Sequence, residues 1–409
     1  MNYKKFLLAV SALGPGLFLI GYNIGTGSIT TMAKTGAEFG MSLFWALLLS
    51  CIFTYILMVA YGKVTIVSGN TALFNFKKEF KFGSILSIYI IAALIIGELL
   101  ALIGVMGIVA DLIQEGIRIG FNNTIIHRGW IILFFSIIIY ILILFGRYSH
   151  FERALTILVI IMGLSFVLVF FMLKPSLSSL AQGLVPSIPD VPGAFGLIAA
   201  ITGTTCSAAV FIIRSTVVAE KGWTVNDLKK ENKDSFVSAF MMLFLSGIIM
   251  AVAAGTLHLS GLRVENTIDM IRLFEPLGGK LAAFILIIGI AGAGLSTIFP
   301  IVLIAPWLIA DYRGASRDIR TQQSRILILC GLLFSFGSIF MDQRPPALMV
   351  FSMAFQACIL PAVAIPIFLL INKKSLMKTH KATPIQNTFI FAVILFSLIT
   401  TCFAILEFF

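Results

Sequence analysis

The chain has 409 residues, of which 59% are hydrophobic and only 11% are charged. This composition excludes a soluble globular protein, whose surface must be hydrated. The formal net charge of +11 could suggest a nucleic-acid partner, but the lysines and arginines concentrate at the N-terminus and in alternate loops between apolar segments. That distribution follows the positive-inside rule, so we expect a lipid bilayer as the partner and no nucleic acid.

Apolar runs of about 20 residues, the length that crosses the hydrocarbon core of a bilayer, recur along the whole chain. The charge distribution predicts a cytoplasmic N-terminus and, after an odd number of spans, a C-terminus outside the cell (inner) membrane. The predicted transmembrane segments are eleven, at residues 8–34, 43–64, 84–112, 128–145, 152–173, 193–219, 235–257, 280–310, 324–341, 346–371 and 387–408.

The first segment is interrupted in its middle, near residues 22–28, by small and polar residues. Glycine, serine and threonine are poor helix formers. Backbone freed from a helix inside lipid must be satisfied by protein, water or a bound solute. An unwound stretch is therefore predicted here, and its candidate substrate-binding residues are Asn23, Gly25, Thr26, Gly27 and Ser28.

A second interruption, at residues 203–207, lies near the middle of the sixth segment. Paired breaks in corresponding segments of two halves are the best sequence pointer to the binding site of a transporter. Neither break contains Asp, Glu, His or Met, so the residues favour an anion, a zwitterion or a still-hydrated ion over a bare divalent cation. The candidate substrate-binding residues of this break are Thr204, Thr205, Cys206 and Ser207.

Two charged residues, Glu98 in the third segment and Arg214 in the sixth, lie deep within predicted spans. Both are costly in lipid and should therefore face the bundle interior or water. One interpretation is a structural ion pair that joins the two segments. The other is a functional role, as a proton relay or as a counter-charge to the substrate.

Features of enzymes and of resident cofactors are missing from the sequence. The five cysteines stand singly in apolar segments, with no spacing that suggests a disulfide framework or a zinc site. No Ser/His pair, pair of aspartates or His-rich cluster occurs within the spans. We expect neither an enzyme nor a bound cofactor.

Several motifs resemble the NRAMP family of proton-coupled divalent metal transporters. The stretches at 14–16, 36–45, 63–69, 97–104 and 361–366 resemble the family's GPG, GAQFG-x-SLLW, RLGIVTG, TDLAEVIG and LPFAxIP motifs. The resemblance implies an all-α polytopic membrane protein with a LeuT-type inverted repeat of helices one to five and six to ten, plus an eleventh helix. Helices one and six would be unwound in mid-membrane. It also implies a single transporter domain over 1–409, with a first repeat at about 8–173, a second at about 193–371 and the extra helix at about 387–408.

The family's metal ligands do not carry over to this sequence. In the register of the resemblance, the metal-binding Asp of helix one falls on Gly25 and its Asn on Ser28, whereas the metal-binding Met of helix six falls on Ser207. The glutamines of helix ten fall on Met353 and Ile359, although Gln356 is one turn from the first.

Proton-handling residues are only partly kept. The Asp of helix three is matched by Glu98, but the Glu that follows it in the motif falls on Ala101. The second His of helix six falls on Arg214, which cannot relay protons near neutral pH.

The sequence thus predicts a secondary transporter of this family with a dismantled metal site. Its substrate would be a small anionic or zwitterionic solute. Residues Ile24–Gly27 resemble the helix-one break with which amino-acid transporters of the wider superfamily bind a substrate carboxylate. Glu98 and Arg214 would serve as counter-charge or coupling pair. The alternative is a transporter of a divalent metal cation, Mg²⁺ or Mn²⁺ with part of its water shell, for which H⁺ is a candidate coupling ion. A function of another class, that of a non-transporting membrane sensor, is a further alternative.

Overall fold

The computed structural model describes residues 25–120, 126–145, 148–173, 181–277, 279–315, 317–340 and 345–408. Regular structure in these ranges is helical throughout. The helices follow the predicted segments in order: α1 Thr26–Phe39, α2 Phe44–Ser68, α3 Gly83–Gly120, α4 Arg128–Leu144, α5 Tyr148–Leu173, α6 in two halves, Ala194–Thr205 and Ala208–Glu220, α7 Leu228–Ala253, α8 Gly279–Arg313, α9 Gln322–Phe334, α10 Pro345–Asn372 and α11 Pro384–Phe408.

Within the described ranges, eight helices are long and apolar enough to cross a membrane, and α4 and part of α5 form two shorter apolar helices. Residues 8–24 of the first predicted segment lie outside the described residues. The predicted multi-pass membrane architecture is confirmed.

Two helices extend past the spans predicted from hydropathy. α3 continues to Gly120 instead of ending near 112, and α7 begins at Leu228 instead of 235. Hydropathy detects only the part of a helix that lies in lipid, whereas lysine and glutamate are good helix formers that prolong a helix into the aqueous phase. Between α7 and α8 the chain forms a 3-10 helix at Thr267–Leu277.

The packing of the helices relates the two halves of the chain. α1 packs against α7 and α6 packs against α2, while α3 packs against α10 and α8 packs against α5. In both of these pairs, the contact is repeated by the helices five positions away in the chain, as expected for the packing of an inverted repeat. α11 packs against α10 and the first half of α6.

The two halves of α6 lie in the interior of the helix bundle. Every residue in the most apolar window of α6 is buried. In contrast, Phe236, Phe240 and Phe244 of α7 are exposed and form a stacked row on a lipid-facing side. The interior of the bundle, where α1 and α6 meet, therefore holds the candidate site.

Candidate functional site

The break in α6 is confined to Cys206 and Ser207. The backbone around it is satisfied by protein: the Thr54 hydroxyl donates to the Thr205 carbonyl over 2.9 Å, and the Cys206 amide donates to the Thr202 carbonyl over 2.7 Å. Ser207 caps the second half of the helix, because its Oγ accepts from the amide of Ala209.

The sequence predicted a longer break, beginning at Gly203, and this was wrong. Residues 203–205 are helical. A Cβ on Gly203 would lie 1.6 Å from the carbonyl oxygen of Met353. This glycine is needed for the close approach of α6 to α10, not for unwinding the helix.

The start of α1 lies opposite the α6 break. Gly25 has extended backbone, and its carbonyl accepts the hydrogen bond of the Ile29 amide that opens the helix. Thr26, Gly27 and Ser28 form the first turn of α1. Asn23, the remaining candidate of this stretch, lies outside the described residues.

A small central cavity lies between the start of α1 and the α6 break. It offers about 30 Å³ to the centres of water molecules. Since one water needs about 10–15 Å³ by this measure, the cavity has room for two or three groups the size of a water molecule, such as an ion with one or two waters. Its wall is formed by α1 (Gly25, Gly27, Ser28), α3 (Glu98, Ala101), α6 (Gly203, Thr204, Ser207), α8 (Thr297, Ile301) and α10 (Met349, Met353, Gln356).

Hydrogen bonds connect the polar side chains of this wall. Ser28 and Thr204 share one of 3.1 Å between their hydroxyls, which joins α1 to α6. The Ser207 hydroxyl donates to Gln356 Oε1 over 2.7 Å, and Gln356 Nε2 donates to Glu98 Oε1 over 2.6 Å. A carboxylate that accepts from an amide in a buried setting makes a strong, charge-assisted bond, so Gln356 orients Glu98 toward the α6 break.

Arg214 does not contribute to the cavity wall, and its expected pairing with Glu98 is corrected. Its completely buried guanidinium forms ion pairs with Glu231 and Asp234 of α7, and it also donates to the Ser235 hydroxyl over 3.0 Å. The charges facing Arg214 come from α7 because α6 resumes at Ala208 and carries Arg214 about 10 Å beyond the break.

The other predicted site residues divide between wall and interior. Gly25, Gly27, Ser28, Thr204, Ser207 and Glu98 line the cavity. Thr26, Thr205 and Cys206 are buried in the surrounding packing and are not among its lining residues. Thr26 and Thr205 lie in helical turns, where successive side chains face different directions.

The sequence did not predict that one face of α10 lines the cavity. Met349, Met353 and Gln356 stand at positions i, i+4 and i+7, a single stripe of a helix. The signal was Gln356, a lone amide in an otherwise apolar segment. The methionines gave no signal, since methionine in an apolar helix is ordinary core.

The donor set of the cavity is one carboxylate, one amide, hydroxyls and two thioethers. Among the residues described, no group of three or more His, Cys, Asp or Glu side chains could hold a metal ion. A cation in this cavity would therefore be held by Glu98 together with neutral oxygen and sulfur donors.

Comparison with known proteins relates the chain to metal transporters. It is 24% identical over 297 residues to the divalent metal cation transporter MntH of Pectobacterium carotovorum, covering 70% of this chain and 69% of the relative. It is 27% identical to natural resistance-associated macrophage protein 2 homolog of Dictyostelium discoideum, covering 70% of this chain and 46% of that protein.

Solved structures share the fold. A crystal structure of a manganese transporter from Eremococcus coleocola superposes with a TM-score of 0.75 at 14% identity, covering 100% of this chain and 88% of the other. A transporter of the nucleobase-cation-symport-1 family with bound bromovinylhydantoin gives 0.61 at 15% identity, covering 96% and 92%. These likenesses confirm the LeuT-type inverted repeat.

The family-level match covers nearly the whole chain. The profile described as natural resistance-associated macrophage protein-like, Nramp, matches residues 16–407. It thus includes every residue that lines the cavity and nearly the full length of helices α1 to α11, so the chain belongs to the Nramp family.

Proposed function

We propose that this protein transports a divalent metal cation through the central cavity, the function that the sequence left as the alternative. The observation that carries the proposal is the Glu98 carboxylate in the cavity wall, combined with the engagement of Arg214 by two carboxylates elsewhere. The anionic or zwitterionic solute expected from the sequence is the weaker candidate.

The electrostatics of the cavity support a cation. Inside a protein a charge interacts more strongly than in water, so a carboxylate in the wall attracts a cation and repels an anion. The cationic partner that an anion would need was expected to be Arg214, whose charge is already balanced by Glu231 and Asp234.

The size of the cavity supports a cation that has lost most of its water. About 30 Å³ leaves room for an ion and one or two waters. Mg²⁺ gives up its water reluctantly and usually keeps several water ligands. Mn²⁺ is therefore favoured over Mg²⁺, in agreement with the relatives that are named divalent metal cation and manganese transporters.

Both repeats contribute to the cavity, so we propose that residues 1–409 act as one transport domain. The distribution of lysine and arginine supports a place in the cell membrane with the N-terminus on the cytoplasmic side. H⁺ is the proposed coupling ion. Glu98 can bind either the cation or a proton, and a carboxylate that exchanges one for the other would couple their movements.

Uptake by the full-length protein in proteoliposomes tests the proposal. Glu98→Gln keeps the shape of the side chain and removes its charge, and it should lower Mn²⁺ uptake at least tenfold. Glu115→Gln is the matched control, because Glu115 is a buried carboxylate on the same helix that pairs with Arg118 away from the cavity. Wild-type uptake of phosphate or an amino acid with no uptake of Mn²⁺ would overturn the proposal, as would full activity of Glu98→Gln.

A further inference from the structure

We propose that Met349 and Met353 of α10 supply thioether ligands to the transported cation and make the site selective for soft and borderline transition metals. This inference rests on the proposed transport of a divalent cation. On this helix the family's glutamine positions fall on Met353 and Ile359, and the sequence assigned no ligand role to either methionine.

Both methionines are positioned at the cavity by the same helical stripe as Gln356. Met349 and Met353 are 1% and 7% exposed, and both line the cavity together with Glu98. Because residues i, i+4 and i+7 share one face of a helix, two sulfurs and one amide are presented to the same space.

Glycines on the neighbouring helices make room for these side chains. A Cβ on Gly27 would lie 2.7 Å from Met349 Cε and 3.2 Å from Met353 Sδ, at the first turn of α1. A Cβ on Gly104 of α3 would lie 3.1 Å from Met349 Sδ. Both thioethers are therefore held against the helices that form the cavity, α1 and α3, by close packing.

The donor set follows the chemistry of a transition-metal site more closely than that of a magnesium or calcium site. Mg²⁺ and Ca²⁺ take oxygen ligands, and a single carboxylate with neutral hydroxyls is a poor substitute for several. Thioether sulfur is a soft ligand that binds transition metals and gives little to Mg²⁺ or Ca²⁺. Glu98 would supply the negative charge, and the two methionines would supply the selectivity for transition metals over Mg²⁺ and Ca²⁺.

The competing explanation is that both methionines only fill space, since methionine adapts to irregular gaps in a core. Substitution by leucine separates the two roles, because leucine keeps the volume and apolar character and removes the sulfur. Met58→Leu is the matched control: Met58 is completely buried in α2 and is not a cavity-lining residue.

Cadmium is the probe, because Cd²⁺ is soft and its bonds to sulfur are visible by X-ray absorption. The purified full-length protein would be titrated with Cd²⁺, Mn²⁺ and Mg²⁺ by calorimetry. Met349→Leu combined with Met353→Leu should raise the Kd for Cd²⁺ at least tenfold, raise that for Mn²⁺ less and leave Mg²⁺ unchanged. The wild type should show Cd–S scattering at the Cd K-edge that the double variant lacks, while Met58→Leu matches the wild type.

The outcomes separate this inference from the proposed function. Cd²⁺ and Mn²⁺ binding that the double variant leaves unchanged, or a wild-type spectrum without Cd–S scattering, would overturn the inference and leave cation transport intact. A wild-type protein that binds none of the three cations would overturn both. Thermal unfolding of each variant would distinguish loss of the ligands from loss of the fold.

Discussion

Gln356 of α10 donates a 2.6 Å hydrogen bond to Glu98 of α3, across a sequence separation of 258 residues. The same amide group accepts from Ser207 at the α6 break. One side chain thus links the third, sixth and tenth helices at the cavity wall, and the orientation of the carboxylate depends on it.

Replacing Gln356 by leucine should damage both stability and transport. The change removes a partner from Glu98 and from Ser207, and loss of a partner for buried polar groups costs roughly 1–3 kcal/mol. We expect a lower unfolding temperature in detergent and a Mn²⁺ uptake reduced several-fold. Gln114→Leu is the control, since Gln114 donates to the Ile126 carbonyl away from the cavity. Equal effects of the two variants would contradict a special role for Gln356.

Gly203→Ala should prevent the correct packing of α6 against α10. The new Cβ would lie 1.6 Å from the Met353 carbonyl oxygen, and backbone cannot rotate aside as a side chain can. We expect little folded, monodisperse protein by size-exclusion chromatography. Gly163→Ala in α5 should be tolerated, because its Cβ would meet only Leu245 Cδ2 at 3.9 Å and alanine favours a helix by about 1 kcal/mol. Well-folded Gly203→Ala would contradict the observed helix contact.

Arg214→Leu should destabilise the protein without changing which charge the substrate carries. It would leave Glu231 and Asp234 buried without their arginine, and breaking a buried ion pair costs about 3–5 kcal/mol. Adding Glu231→Gln and Asp234→Asn should restore much of the unfolding temperature. If Arg214→Leu or Arg214→His instead altered the preference between cations and anions in uptake, Arg214 would act as a counter-charge to the substrate.

Gly25→Asp, which puts back the carboxylate of the family's helix-one position, should fail to strengthen metal binding on its own. Its Cβ would lie 2.1 Å from Thr297 Oγ1, 2.9 Å from Cγ2 and 3.0 Å from Cβ, so rotation of Thr297 cannot clear the space.

Thr297→Ala removes the two nearest atoms and should rescue that variant. We expect Gly25→Asp with Thr297→Ala to bind Mn²⁺ at least tenfold more tightly than the wild type, measured by calorimetry. Thr297→Ala alone, which adds no carboxylate to the cavity, is the control and should bind Mn²⁺ no more tightly than the wild type does. Tighter binding by Gly25→Asp alone would contradict this steric argument and would mean that α8 can move away from α1 to make room for the new side chain.

Local patterns determined much of this protein. The order of the helices, the break in the sixth helix and the family follow from runs of about 20 residues and from short motifs, because the requirements of the bilayer and of helix formation act on neighbouring residues. The polar wall residues Ser28, Thr204 and Ser207 were predicted for the same reason: an interrupted helix shows itself in its own sequence.

The character of the site was decided by contacts between distant segments. Glu98 was recognised as unusual, but only the fold placed it beside Gln356 and brought the thioethers of Met349 and Met353 to the same cavity. Arg214 was expected near Glu98, whereas α7 supplies its carboxylates. A cation site built from one charge and several neutral donors has no local signature, because each donor is an ordinary residue in its own helix and acquires its chemistry only where five helices meet.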